Sequence, residues 1–365
     1  MKLANMPRAL FSLAVVPLIF AYLIQPGFAQ TGSSFKNLVD VSKVELEKKK
    51  GELIIGSEWV EELANPTLKH FQQEFPFIKK ITFNRMSKVE NMQRMLIEVQ
   101  QGKTPKFDIT TISSEVWSDY RKAGLFLKPP FDYQKLAKAL PPDWGTIDPR
   151  AIDPNGYYVA GTGLIRGGIV YNTEIVPADK APKGWEDCVN PTWRGKVLFD
   201  PRNKAAAFQH DPKTREWFLK WLKSLVNNKV VLNRGQIENV EKVAGGEFPL
   251  FCGVNYYSAM PLIDKGAPAK FVLPDPYPLE FGTQIHVLKW SQTPATTQLF
   301  SLWLASKGQD ALAKHAYRAF PWKPNTPIYA LAKGKYAAIC DVDCLNKSDQ
   351  YEKEVADILR LPGIR

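Results

Sequence analysis

The sequence is poor in the side chains that do most chemistry near neutral pH, with four histidines and four cysteines among 365 residues. It contains no G-x-S-x-G, H-E-x-x-H or P-loop, no G-x-G-x-x-G between a strand and a helix, and no cysteine at a familiar spacing from a histidine. Those absences set aside the common hydrolase, zinc-protease and nucleotide-binding classes. The adjacent carboxylates Glu61 and Glu62 fall on an expected helix and read as solvated charge. Beyond residue 30 no apolar run approaches the roughly 20 residues that a membrane helix needs. There is no internal repeat and no Arg-rich or RNA-binding signature. The net charge of +11 comes largely from lysines spread along the chain, with Lys48 to Lys50 the one short run. It reads as a solvated basic surface, compatible with an anionic ligand or a metal–anion complex.

What is present begins with an export pattern. Lys2 and Arg8 give a positive start, Ala9 to Ile24 form an apolar run broken by Pro17, and Pro26-Gly-Phe-Ala29 ends on a small residue. A charged start, an apolar core and a small-residue cleavage site define a secretory signal. Cleavage is expected after Ala29, which removes two positive charges and takes the net charge from +11 to +9. An uncleaved N-terminal anchor is the alternative. The cysteines suit an oxidising compartment. Cys340 and Cys344 are separated by Asp-Val-Asp, close enough to close a small loop, whereas Cys188 and Cys252 lie far apart within one expected lobe. The pair Cys340–Cys344 is preferred, although four cysteines allow three connectivities. A metal site of Cys340, Asp341, Asp343 and Cys344 is the sharper alternative, but C-x3-C without a histidine is a poor zinc signature.

Roughly 335 residues after such a cleavage exceed one ordinary core and suggest two lobes. Strand-like runs at 52–57, 80–84 and 107–112 alternate with helical patterns at 59–75, 89–101 and 117–123. That alternation marks an α/β fold with a largely parallel sheet. Residues 157–171 are apolar and broken by glycine, fitting a crossover between lobes, and 282–288 would carry the chain back. Further expectations are a strand at 196–200, an amphipathic helix at 214–227, a buried strand at 247–254 and a long helix at 293–313. The last fifty residues are expected to cover the first lobe and clasp the second. The expected division is 1–29 as signal, 51–160 with 283–365 as lobe 1, and 161–282 as lobe 2.

Several strings carry a resemblance: SEWVEEL after the first strand, KFDITTIS followed by AGLF, YNTEIVP, GWEDCVNPTWRGKV, NYYSAM and LFSLWLASKGQDALA. In their order and spacing, from about Gly51 to about Lys314, the chain resembles the bacterial extracellular solute-binding proteins of ABC importers, in particular the iron(III)-type group. The resemblance implies a two-lobed, type II periplasmic-binding fold with an interlobe cleft and hinge strands. It also implies a periplasmic, monomeric protein that meets an ABC permease. In open α/β sheets ligands bind beyond the carboxyl ends of the strands, so the strand ends near Ser57, Ser113, Phe199 and Asn255 become candidates.

Tyr256 and Tyr257 match the tandem tyrosines by which iron-type members hold Fe3+, for which phenolates are suitable hard donors. The rest of that constellation departs from the pattern. Trp59 stands where many iron binders place a histidine, Phe199 where they place a third tyrosine, and the acidic ligand falls near Ser113 to Glu115. The aromatic residues Trp59, Trp117, Phe199, Tyr256 and Tyr257 would instead line a cleft for a small organic ion. Arg166 and Arg202 are candidates to grip a carboxylate or phosphonate, Asn255 adjoins the tyrosines, and Ser57, Ser113 and Ser114 are candidate hydroxyl donors. The resulting expectation is a non-enzymatic solute-binding component of an ABC importer, without a resident cofactor and without nucleic-acid contacts, closing by hinge motion over a small organic ion. A ferric ligand at Tyr256 and Tyr257 is the first alternative, and a secreted enzyme or ligand sensor on the same fold the second.

Overall fold

A computed structural model describes residues 34–86, 89–112, 114–203 and 205–360. The expected signal at 1–29 and the candidate Ser113 lie outside those residues. Strand β1 (Glu52–Ser57) buries Leu53 and Ile55 and runs parallel to β2 (Lys80–Arg85) and β3 (Ile109–Ile112). The helix Glu61–Glu74 joins β1 to β2 and turns Ala64, Thr67, Leu68 and Phe71 inward. Their spacing of three and four residues makes the apolar stripe that a helix needs to seat on a sheet.

The remaining strands are β4 (Ala160–Ile165), β5 (Ile169–Asn172), β6 (Val197–Phe199), β7 (Val231–Leu232), β8 (Leu250–Cys252), β9 (Ala269–Val272), β10 (Tyr277–Ile285) and β11 (Ala337–Cys340). Among the described residues they form two mixed sheets. One has the order β11-β10-β3-β1-β2, with β4 pairing antiparallel to β10; the other runs β7-β6-β8-β5-β9. The chain therefore leaves the first sheet after β4, passes through 166–168 into β5, and returns through 273–276 into β10. This is the two-lobed α/β architecture.

The helix Pro294–Ala305 is buried on every side within the first core. Its N-terminus is capped from another helix. Glu45, on the helix Phe35–Lys48, accepts the backbone N–H groups of Ala295 and Thr296 at 2.9 Å each, and the Thr296 hydroxyl as well. A carboxylate there meets the positive end of the helix dipole. Burial nevertheless outweighs these bonds and raises the Glu45 pKa.

The C-terminal segment touches both sheets. Strand β11 extends the first by pairing with β10, and the helix Ser348–Leu359 buries Tyr351, Val355 and Leu359 in one cluster with Phe208, Phe218 and Trp221. Arg215 adds a forked ion pair to Glu354 at 2.8 and 2.9 Å. Both disulfides are formed: Cys340–Cys344, just after β11, and Cys188–Cys252, which ties a turn of 3-10 helix to β8. The metal alternative at Cys340 and Cys344 is thereby removed, because both sulfurs are consumed.

Four local expectations shift. The return crossover expected at 282–288 lies instead at 273–276, because Tyr277–Ile285 form β10 of the first sheet. The helix Phe35–Lys48 was not foreseen. The long helix expected at 293–313 ends at Ala305 and is followed by Gln309–Ala311 and a π-helical turn, Leu312–Ala316. The strand expected at 247–254 is shorter, and the tyrosines after it open the helix Tyr256–Ile263 rather than finishing the strand. Gly253, at φ +81°, turns the chain between them where a side chain would strain the backbone and strike the Phe199 ring.

Candidate functional site

The first crossover sets the geometry. A Cβ on Gly167 would lie 2.7 Å from Pro278, and one on Gly168 would enter the Phe271 ring, so these two positions can run close to the returning chain only as glycine. Their neighbour Arg166 donates its backbone N–H to the Pro278 carbonyl at 3.0 Å. Its guanidinium is thereby held beside β10, where Nε and Nη2 donate to both oxygens of Glu280 at 2.7 and 3.1 Å. The third arm, Nη1, donates to the Tyr257 hydroxyl at 2.7 Å. Asn255 stands at the N-terminal position of the Tyr257 helix without a capping bond from its side chain; instead it donates its amide to the same hydroxyl at 3.2 Å, while its own backbone N–H is accepted by Gln236 at 2.8 Å.

Onto the Tyr257 ring, from the first-sheet side, comes Arg318. It follows the π-helical turn and Tyr317, and its carbonyl accepts the N–H of Gly163 on β4. The Arg318 guanidinium carbon sits 4.1 Å from the Tyr257 ring centroid and 5.6 Å from that of Trp59. Arg318 is only 9% exposed. Among the described residues its side chain makes no hydrogen bond and no ion pair. Burial lowers its pKa, since desolvation penalises the charged form. Tyr317 next to it donates its hydroxyl to Asp264, on the far end of the Tyr257 helix, at 2.8 Å, and burial with that bond pushes its own pKa up to about 12.

A cavity of about 260 Å³ adjoins this cluster, lined among others by Arg166, Asp200, Arg202, Asn255, Glu280 and Cys340. Arg202 grips Asp200 with two bonds of 3.1 and 2.7 Å. Burial pushes the Asp200 carboxyl up, but Arg202 and the backbone N–H groups of Arg202 and Gly235 outweigh it and leave the pKa low. The cavity thus has two arginine–carboxylate pairs on its wall, one from each sheet's neighbourhood.

The other candidates fall elsewhere. Ser57 is buried and its hydroxyl accepts from Thr111 at 2.8 Å and from the Trp59 backbone at 3.3 Å. Phe199 is buried in the second core beside Trp221. Trp117 is buried and donates its indole N–H to His286 at 3.1 Å. Tyr256 is 4% exposed, its ring against Phe271 and Tyr317, and burial raises its pKa. The two tyrosines, one residue apart on a helix, therefore have different neighbours: Tyr257 meets the two arginines and Tyr256 meets aromatic rings. Among the described residues no three histidine, cysteine, aspartate or glutamate side chains group to hold a metal. No described helix is long and apolar enough to cross a membrane.

Arg318 was not among the residues singled out from the sequence. It stands in no motif, and only the fold brings it to Tyr257, sixty-one positions earlier.

A chain with two sheets, two crossovers and polar groups converging between them has the build of a periplasmic-type binding protein. This chain belongs to the bacterial extracellular solute-binding proteins, matching that family over residues 67–336. No curated protein matches it. Among solved structures it is similar in fold to iron-bound HitA from Pseudomonas aeruginosa (17% identity, TM-score 0.60, covering 84% of this chain and 99% of that one). It is similar also to the substrate binding protein of an ABC transporter from Agrobacterium tumefaciens (16%, 0.63, 85% and 94%). A third is the spermidine/putrescine ABC transporter substrate-binding protein PotD from Streptococcus pneumoniae (18%, 0.54, 85% and 91%).

Proposed function

We propose that the protein captures a small organic ion between its two lobes and delivers it to the permease of an ABC importer, acting as a monomer after export and loss of residues 1–29. The expected bounds, 51–160 with 283–365 and 161–282, shift by a few residues, because β4 and β10 both belong to the first sheet: the first lobe runs to 165 and resumes at 277, and the second is 166–276. The observation that carries the reading is the convergence around Tyr257: Arg166 comes from the first crossover and is held by Glu280 of β10, Asn255 comes from the second sheet's side, and Arg318, with Trp59 beside it, from the first. Contacts supplied from both sides favour the closed state once a ligand completes them, which is how binding energy becomes hinge closure. Nothing in the cluster calls for a reaction, and binding without turnover is the activity.

The donor set suits an organic ion better than Fe3+. Tyr256 is packed among rings and its phenol is harder to ionise, Tyr257 already accepts from Arg166, and two guanidiniums close to the ring oppose an added cation. Small-angle scattering and thermal melting of the exported chain against organic anions, organic cations and ferric citrate test this. At least one organic ion should compact the molecule and raise its Tm. A visible tyrosinate-to-iron band with ferric citrate, lost in Tyr256→Phe and Tyr257→Phe, would transfer the site to iron instead.

A further inference from the structure

The cluster around Tyr257 has one positive charge too many. Arg166 and Arg318 both lie against the Tyr257 ring, at 5.9 and 4.1 Å from its centroid. Glu280 engages Arg166 with both of its oxygens. Glu58, the other acid whose field reaches Arg318, is exposed. Arg318 therefore has two aromatic faces for company and no anion within bonding distance among the described residues.

A guanidinium has five N–H donors and no acceptor, and it is never neutral at physiological pH. Taking most of such a side chain out of water is costly, ring faces return only part of that cost, and the donors of Arg318 keep only a narrow opening to solvent. Such a group, nine-tenths buried at the meeting of the two lobes, is a receptor whose partner arrives from outside. Its planar fork matches an oxyanion with two or more coplanar or tetrahedral oxygens.

Resting on the solute-capture reading, we propose that Arg318 receives the anionic head of the solute, an organic carboxylate or phosphonate, between Trp59 on one side and Tyr257 on the other. The head takes the donors of Arg318, and Arg166 beside it adds a second positive field while staying clamped to Glu280. The solute class is thus an organic anion rather than an amine, and the bare cation is disfavoured by the same two guanidiniums.

Acetate and methylphosphonate, the smallest carriers of each head, are the probes, with methylammonium as their opposite and ferric citrate, read against citrate alone, as the iron probe. Each is titrated into the exported chain, Arg318→Gln, Arg318→Lys and Arg94→Gln, the last removing an exposed arginine that pairs with Glu98 on its own helix. Melting and tryptophan fluorescence report binding, and scattering reports closure. One or both anions should bind wild type and Arg94→Gln saturably, weaken at least about tenfold in Arg318→Gln, and leave methylammonium without effect. Which of the two binds names the head. Should Arg318→Gln fail to fold, Arg318→Lys keeps the charge without the fork, and it should still weaken binding several-fold. Equal affinity in every arginine variant that folds, or no saturable binding of either anion, overturns the assignment. Closure driven equally by methylammonium or ferric citrate in wild type and the variants leaves solute capture standing and removes the anion receptor. Anion binding through Arg318 without closure does the reverse.

Discussion

Arg166 and Tyr257 meet at 2.7 Å, guanidinium to phenol, ninety-one positions apart in the chain. The bond joins the first crossover to the helix that follows β8, and Glu280 on the returning strand holds the other two arms of the same arginine. Tyr257→Phe keeps the ring beneath Arg318 and removes the acceptor. It should cost about 1 kcal/mol, measured by urea unfolding. Glu280→Gln should cost more, about 2 kcal/mol, because it breaks a part-buried charge pair. The double variant should fall short of the sum by about 0.5 kcal/mol or more, since both act on one guanidinium; strict additivity would deny the coupling.

The cap supplied by Glu45 gives a second test. Glu45→Ala strands two backbone N–H groups at the start of a helix that is buried all round. A loss of about 1–3 kcal/mol is expected, against a few tenths for Glu47→Ala on the same helix. Comparable effects from both would mean that the cap contributes nothing.

The two disulfides should differ in weight. Cys188–Cys252 closes 64 positions and Cys340–Cys344 only four. Chain-entropy arithmetic gives about 4 kcal/mol for the long loop and about 2 kcal/mol for the short one. Paired alanine variants compared by melting should show the larger drop for Cys188/Cys252, and the opposite order would show that the loop argument does not govern here.

Acid should act through His286. Its Nε2 accepts from Trp117, so the proton sits on Nδ1 and the ring is neutral; burial lowers its pKa from 6.5 to about 3. Below pH 6.5 the unfolded chain takes up a proton that the folded chain refuses until about pH 3. Stability from this group is therefore complete above 6.5 and is lost as pH falls through that window, with a slope of up to about 1.4 kcal/mol per unit. The slope of unfolding free energy against pH should flatten by nearly one proton in His286→Gln, and an unchanged slope would count against the buried imidazole.

The fold was legible where periodicity is strong. The alternation of 52–57, 59–75, 80–84 and 89–101 leads to β1, its helix, β2 and the next helix within a few residues, and the short cysteine spacing identified one disulfide. The tyrosine pair misled, because Tyr-Tyr after a buried strand reads as more strand, and the turn at Gly253 depends on a positive φ that composition does not encode. The site was legible only in part. Arg166 and Tyr257 were singled out and meet, whereas Trp117 and Phe199 look like cleft aromatics but are buried in packing. Arg318 carries no local signal. Its burial arises from the crossing of residues far apart in sequence, and a lone arginine in a loop is ordinarily a solvated one.

The C-terminal segment gives the molecule a third passage between its two halves, beside the crossovers at 166–168 and 273–276. Two hinge strands alone leave bending and twisting as separate soft motions. A third tether, anchored in β11 at one end and in the Trp221 cluster at the other, suppresses the twist. Opening then approaches a motion with a single mechanical coordinate, and one pair of spectroscopic labels placed across the cleft is enough to follow the whole cycle of capture and release.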